Sequence, residues 1–150
     1  MSGAHVIQIV AGIFALAVLG GGILALVCYI LTLQRALRKC AITSLTIQPG
    51  TVWLLLIPLV NLVWHFFVVI GMSKSLGNEF RARNTPNVEP EPAKALGIGM
   101  CVCCACSIIP ILGILAGLAY LVLWIIYWSK IASYARLLEA SAPVAVAPAV

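Results

Sequence analysis

Residues 51–70 read TVWLLLIPLVNLVWHFFVVI, an unbroken run with no formal charge between Gly50 and Gly71. Wound as helix, at about 1.5 Å of rise per residue, such a run is long enough to cross a hydrocarbon layer ~30 Å thick. Lipid, and not water, is therefore the solvent against which this chain must be judged. Three further apolar stretches, residues 6–33, 95–109 and 111–128, repeat the signal. Of the 150 residues, 63% are hydrophobic and only 9% charged, with a mean hydropathy of +1.14; soluble domains carry roughly 25% charged residues. The expected fold is all-α: a polytopic membrane protein built as a four-helix transmembrane bundle. Its helices are expected over residues 6–33, 51–80, 95–109 and 113–135, within one domain of residues 1–135. The Ala/Pro/Val-rich tail at 136–150 has no helical period and is expected to be disordered.

The first segment lacks the Lys or Arg of a signal-peptide n-region, and its apolar run exceeds the ~7–15 residues of an h-region, so it reads as a retained anchor. Ala17, Gly21 and Ala25 recur every four residues along it. In lipid that spacing lets two helix backbones approach closely, which implies a packed partner helix. The Gly20-Gly21-Gly22 run costs ~1 kcal/mol of helix propensity per glycine in water, a loss that packing must offset. Gly113 and Gly117 repeat the small-residue pattern at the start of the fourth helix. Both motifs are expected to serve packing within one chain, with a seam between copies as the alternative.

Arg35, Arg38 and Lys39 follow the first apolar run and mark an interface with headgroups. Pro49-Gly50 signals a turn, with Thr51 as the expected cap of the second helix. Pro58 inside that helix removes a backbone donor and predicts a kink. Beyond Met72 the helix is expected to continue, with Glu79 and Arg83 as a weak, exposed i,i+4 pair. Residues 84–94, NTPNVEPEPAK, form the clearest loop. Pro110 and Gly113 then punctuate an apolar stretch too long for one crossing, and predict a short hairpin between the third and fourth helices. One kinked helix is the alternative there. Toward the end of the fourth helix, Trp124, Trp128 and Lys130 follow the order of a membrane boundary.

Four crossings put both termini on one side, together with Lys74, Arg81, Arg83, Lys94, Lys130 and Arg136; Arg35, Arg38 and Lys39 fall opposite. Six cations against three favour cytoplasmic termini under the positive-inside rule, in a multi-pass protein of the inner membrane. The net charge of +5 reads as headgroup contact, and no basic patch with interleaved aromatics stands apart from the spans to suggest nucleic acid. The expected partners are the lipid bilayer and another membrane protein or a second copy of the chain.

Two constellations carry chemical interest. Asn61 and His65 lie one helical turn apart inside the second span, where polar groups face the bundle interior. They read as interhelical hydrogen-bonding groups, with the lining of an oligomeric pore or carrier as the alternative. Cys101, Cys103, Cys104 and Cys106 contain two overlapping C-x-x-C spacings. They read as small packing residues. The alternatives are a membrane thiol-disulfide oxidoreductase using Cys101 and Cys104, whose general plan such a bundle resembles, and a soft-metal site on all four. No Walker loop, H-E-x-x-H or G-x-S-x-G occurs, so no cofactor is expected.

The block P-G-x-x-W-L-L-L-I-P-x-x-N-L-V-W at residues 49–64 resembles a signature of a family of small uncharacterised bacterial integral membrane proteins. The blocks CSIIPILGILAG at 106–117 and W-I-I-Y-W-x-K-I-A at 124–132 look like the same family, and the resemblance covers residues 49–83 and 95–135. It implies bacterial origin and four crossings, and carries no activity. The expected role is noncatalytic: structural, assembly or accessory.

Overall fold

The computed structural model describes residues 3–110 and 112–141, which are helical with no strand among them. The elements are α1 (Gly3–Arg38), α2 (Pro58–Ala82), α3 (Lys94–Cys106) and α4 (Gly113–Ala140), with 3₁₀ turns at Ile42–Ser44 and Thr51–Leu56. Three helices, α1, α2 and α4, are long and apolar enough to cross a membrane, whereas α3 has 13 residues and reaches only ~20 Å. The third and fourth helices are separate, so the break expected near Pro110 is present; Ile111 within it lies outside the described residues. α4 continues through Ala140, past the point where the tail was expected to begin; the expected disorder of 142–150 lies outside the described residues.

Pro58 does not kink the second helix; it begins it. The proline occupies the first turn of α2, where its missing N–H would be unpaired in any case and its fixed φ suits the helix. Ile57 before it is extended, at φ −87° and ψ 110°, the conformation that a following proline imposes. Residues 51–56 are thus divorced from α2 and wind as a 3₁₀ helix. Thr51 does not cap α2 either: its hydroxyl donates to Gln48 O at 2.7 Å and closes the local turn.

The chain between α1 and α2 runs back along α2 instead of crossing to a far side. Ala41 N–H reaches Glu79, the Asn78 amide reaches Ser44 O, Thr46 N–H reaches Ser75 Oγ, and the Trp64 indole reaches Thr51 O. Rising numbers in residues 41–51 meet falling numbers in α2, so this segment is antiparallel to α2, and α1 and α2 point the same way. α4 shares their direction, because the Trp128 indole donates to Thr32 Oγ1 and Lys39 is ion-paired with Glu139. α3 makes the other return. Its Gly97 packs where a Cβ would lie 2.3 Å from Val69 Cγ1 on α2 and 2.9 Å from the Tyr127 ring on α4, so only glycine permits this approach.

This arrangement divides the molecule along its length. The buried side chains fall toward the shared C-terminal ends: Tyr29, Ile30, Leu33, Ala36 and Leu37 of α1, and Tyr127, Ile131, Ala135 and Leu138 of α4. The latter recur at helical spacing and form one stripe on α4, whose main neighbours are α1 and α3. The other end is apolar and uncovered: every residue from 3 to 24 is exposed, as are Leu59, Val63 and Phe67 of α2 and Ile114, Leu115 and Leu118 of α4.

Candidate functional site

Three parallel helices bring three C-termini together, and each such end presents unpaired carbonyls and the negative pole of its dipole. Arg83, immediately past α2, fills that place. Its Nη1 donates to Leu138 O at 2.8 Å and to Ser141 Oγ at 3.0 Å, its Nη2 donates to Lys39 O at 2.9 Å, and its Nε donates to Glu79 Oε1 at 2.7 Å. Glu79 accepts the Ala41 amide on its other oxygen at 2.7 Å. The side chains are 7% and 0% exposed, so the pair expected at the surface is instead the buried centre of a junction between α1, α2 and α4. Their i,i+4 spacing was visible in the sequence. What was not is that two other helix ends close over them. Cys40 lies beside this junction, and burial, reinforced by the Glu79 carboxylate, pushes its thiol up to about 12.

The junction also gathers the cations. Arg35, Arg38 and Lys39 were expected across the membrane from the other six. The contacts from Lys39 to Glu139 and from Arg83 to Lys39 O place them at the same end as Lys130 and Arg136. Even Lys130 stands only ~12 Å of helix from Leu138. Arg35, Arg38 and Lys130 are exposed, as headgroup anchors would be, whereas Lys39 is half-buried against Glu139.

Further along the bundle, His65 is 4% exposed and shares a hydrogen bond of 3.1 Å with Tyr29 OH. Tyr29 is packed edge-on by Trp124, Tyr127 and Trp128 at centroid distances of 5.4, 6.4 and 6.1 Å. The aromatic residues read as a boundary girdle thus turn inward upon a tyrosine of α1, because positions 124, 127 and 128 share the face of α4 that meets α1. Asn61 and His65 are not brought to one path. His65 is enclosed, while Asn61 lines a lateral groove with Gly22, Leu26, Tyr120 and Trp124, its Oδ1 without a hydrogen-bond partner among the described residues.

The four cysteines of α3 and Cys28 and Cys40 are all free thiols. Cys101 is buried and Cys103, Cys104 and Cys106 half-buried. Among the described residues no three His, Cys, Asp or Glu side chains are grouped to hold a metal ion. The small-residue faces divide differently from expectation. Gly113 closes tightly on Ser107 O, but Gly21 and Gly117 have open space where a Cβ would stand, and Ala17 is exposed and Ala25 half-buried. The described chain does not fill the stripe on α1. Comparison with family models, with curated proteins and with solved structures finds no match to this chain.

Proposed function

We propose that this is a small bacterial inner-membrane protein of noncatalytic structural, assembly or accessory role, which holds a partner helix against the small-residue face of α1. The observation that carries the reading is the exposure of α1 from residue 5 to 21, with open space at Gly12, Gly20 and Gly21. In lipid a bare apolar helix is stable alone, so exposure by itself demands no partner; a stripe lacking side-chain bulk is what permits close backbone contact. A second copy of the chain or another membrane protein fits that face.

Orientation follows from the gathered cations. All nine lie toward the junction, so the positive-inside rule puts the C-terminal ends of α1, α2 and α4 in the cytoplasm. Gly3 then belongs to the opposite side, in place of the reading with both termini cytoplasmic. The three long helices pass in one sense, and residues 41–57 and α3 make the returns, in place of four alternating crossings.

The test is self-association and co-purification in membranes. Gly21→Leu fills the open space with a branched side chain and is expected to abolish the crosslinked species seen with the unaltered chain, without loss of folded protein. Identical crosslinking of the two would remove the seam.

A further inference from the structure

We propose that the slot between residues 46–51 and α2 seats one anionic phospholipid of the cytoplasmic leaflet, its phosphate on Lys74 and an acyl chain directed toward Trp64. This rests on the membrane orientation given above.

The slot exists because residues 46–51 are held to α2 toward two ends, at Thr46 and Ile47 and again at Thr51. At one, Ile47 packs onto Gly71, where a Cβ would lie 2.3 Å from its Cγ2. At the other, the Trp64 indole donates to Thr51 O at 3.0 Å. Between these bridges Phe67, Val68 and Ile70 line a cavity of about 220 Å³, and Lys74, exposed and about one turn beyond Gly71, also lines it. The lining is apolar apart from Thr46, Thr51 and the lysine. Burying an acyl chain there follows the ordinary rule for hydrophobic pockets with few polar groups.

Length and charge select the occupant. From Lys74 to Trp64 is ~15 Å of helix, half of a ~30 Å hydrocarbon layer and so the depth of one leaflet. The cation sits at the end where headgroups lie, and the apolar walls run away from it. Charge complementarity argues for an anionic head. Of the four carboxylates in the chain, Glu79, Glu91 and Glu139 are engaged by Arg83, Lys94 and Lys39. No salt bridge is made among the described residues by Arg35, Arg38, Lys74, Arg81, Lys130 or Arg136. These cations surround the same end of the bundle, and an anionic surface compensates them.

Native mass spectrometry of the full chain, released from micelles with equimolar dioleoyl phosphatidylglycerol and dioleoyl phosphatidylcholine, reads the preference directly. The unaltered chain should retain the glycerol lipid roughly fivefold over the choline lipid, the ratio equivalent to ~1 kcal/mol per lysine near a surface. Lys74→Gln should bring the ratio close to one. Thr46→Trp, at an exposed position on the slot wall, should remove bound lipid of both kinds. Lys130→Gln, on α4, should leave the preference in place. Equal retention by the unaltered chain, a preference that survives Lys74→Gln, or lipid still seated in Thr46→Trp would each overturn the proposal. Failure of the orientation itself has another signature: Arg81→Cys would be labelled by an impermeant maleimide from outside intact cells. A chain that stays in solution without detergent would overturn the membrane reading as a whole.

Discussion

Replacing Arg83 with methionine removes the guanidinium while keeping most of the aliphatic stem. Glu79, 0% exposed, then keeps the Ala41 amide but loses its counter-charge, and the carbonyls of Lys39 and Leu138 lose a donor. Breaking a buried pair by deleting one partner costs ~3–5 kcal/mol, because the remaining charge is stranded away from water. In Glu79→Gln/Arg83→Met the neutral amide still offers an oxygen to Ala41 N–H and leaves no buried charge. The cost should fall to ~1–3 kcal/mol, that of unsatisfied neutral polar groups, so the two substitutions are non-additive. Reversible unfolding in mixed detergent micelles, followed by helical circular dichroism and by tryptophan fluorescence, measures both variants against the unaltered chain. A loss below ~1 kcal/mol in Arg83→Met, the range of solvent-exposed pairs, would refute the view that this junction fastens the three helices.

Gly97→Ala forces a Cβ to within 2.3 Å of Val69 and 2.9 Å of Tyr127, and should cost ~1–3 kcal/mol in the same unfolding assay, as overpacking does. Gly12→Ala meets nothing within 4 Å and should leave stability unchanged or slightly raised, so equal losses at the two sites would count against the packing described. The Cys40 thiol, held near 12 against an ordinary value of 9.0, predicts a pH dependence with a definite sign. Below pH 9 both folded and unfolded chains hold the proton and its contribution is constant. As pH rises from about 9 toward 12 the unfolded chain ionises first, so stability falls. Cys40→Ala should flatten that part of the profile, and an unaltered alkaline slope would argue against it. Alkylation at pH 8 followed by mass spectrometry should likewise find Cys40 modified only after unfolding.

The helices themselves were legible because apolar length, Pro49-Gly50, the loop at 84–94 and the Pro110 break are local signals. The direction of the helices was not. Residues 41–57 contain Ile42, Leu45, Ile47 and the TVWLLLI run, and by composition they read as a turn followed by one long helix. Only tertiary contacts with Glu79, Ser75 and Trp64 reveal that the segment travels back along α2. Pro58 was ambiguous for a related reason. A proline in an apolar run is compatible with a kink or with a helix start, and here the extended Ile57 decides for the start. At the candidate sites, His65 was legible as an interior polar group, but its partner Tyr29 lies 36 positions away. The inward turn of Trp124 and Trp128 was hidden because aromatic residues near a cation are equally common at lipid boundaries and in cores.

The junction and the charge asymmetry have one cause. Helices that run parallel superimpose their dipoles, and the shared C-terminal pole favours cations. An antiparallel bundle would have divided Arg35, Arg38 and Lys39 from Lys130 and Arg136 and balanced its poles. Here the return of residues 41–57 aligns α1 with α2, α3 aligns α2 with α4, and the cations are collected as a result. One of them, Arg83, is buried to satisfy the three converging ends, while Arg35, Arg38 and Lys130 stay exposed at the same end. The apolar half beyond Tyr29 is thereby left with no charged side chain, which is what allows hydrocarbon to surround it. Packing toward the junction and exposure away from it are thus two consequences of the same chain path: the exposed cations and the dense core share one end, and the uncovered apolar surface and the open face of α1 occupy the other.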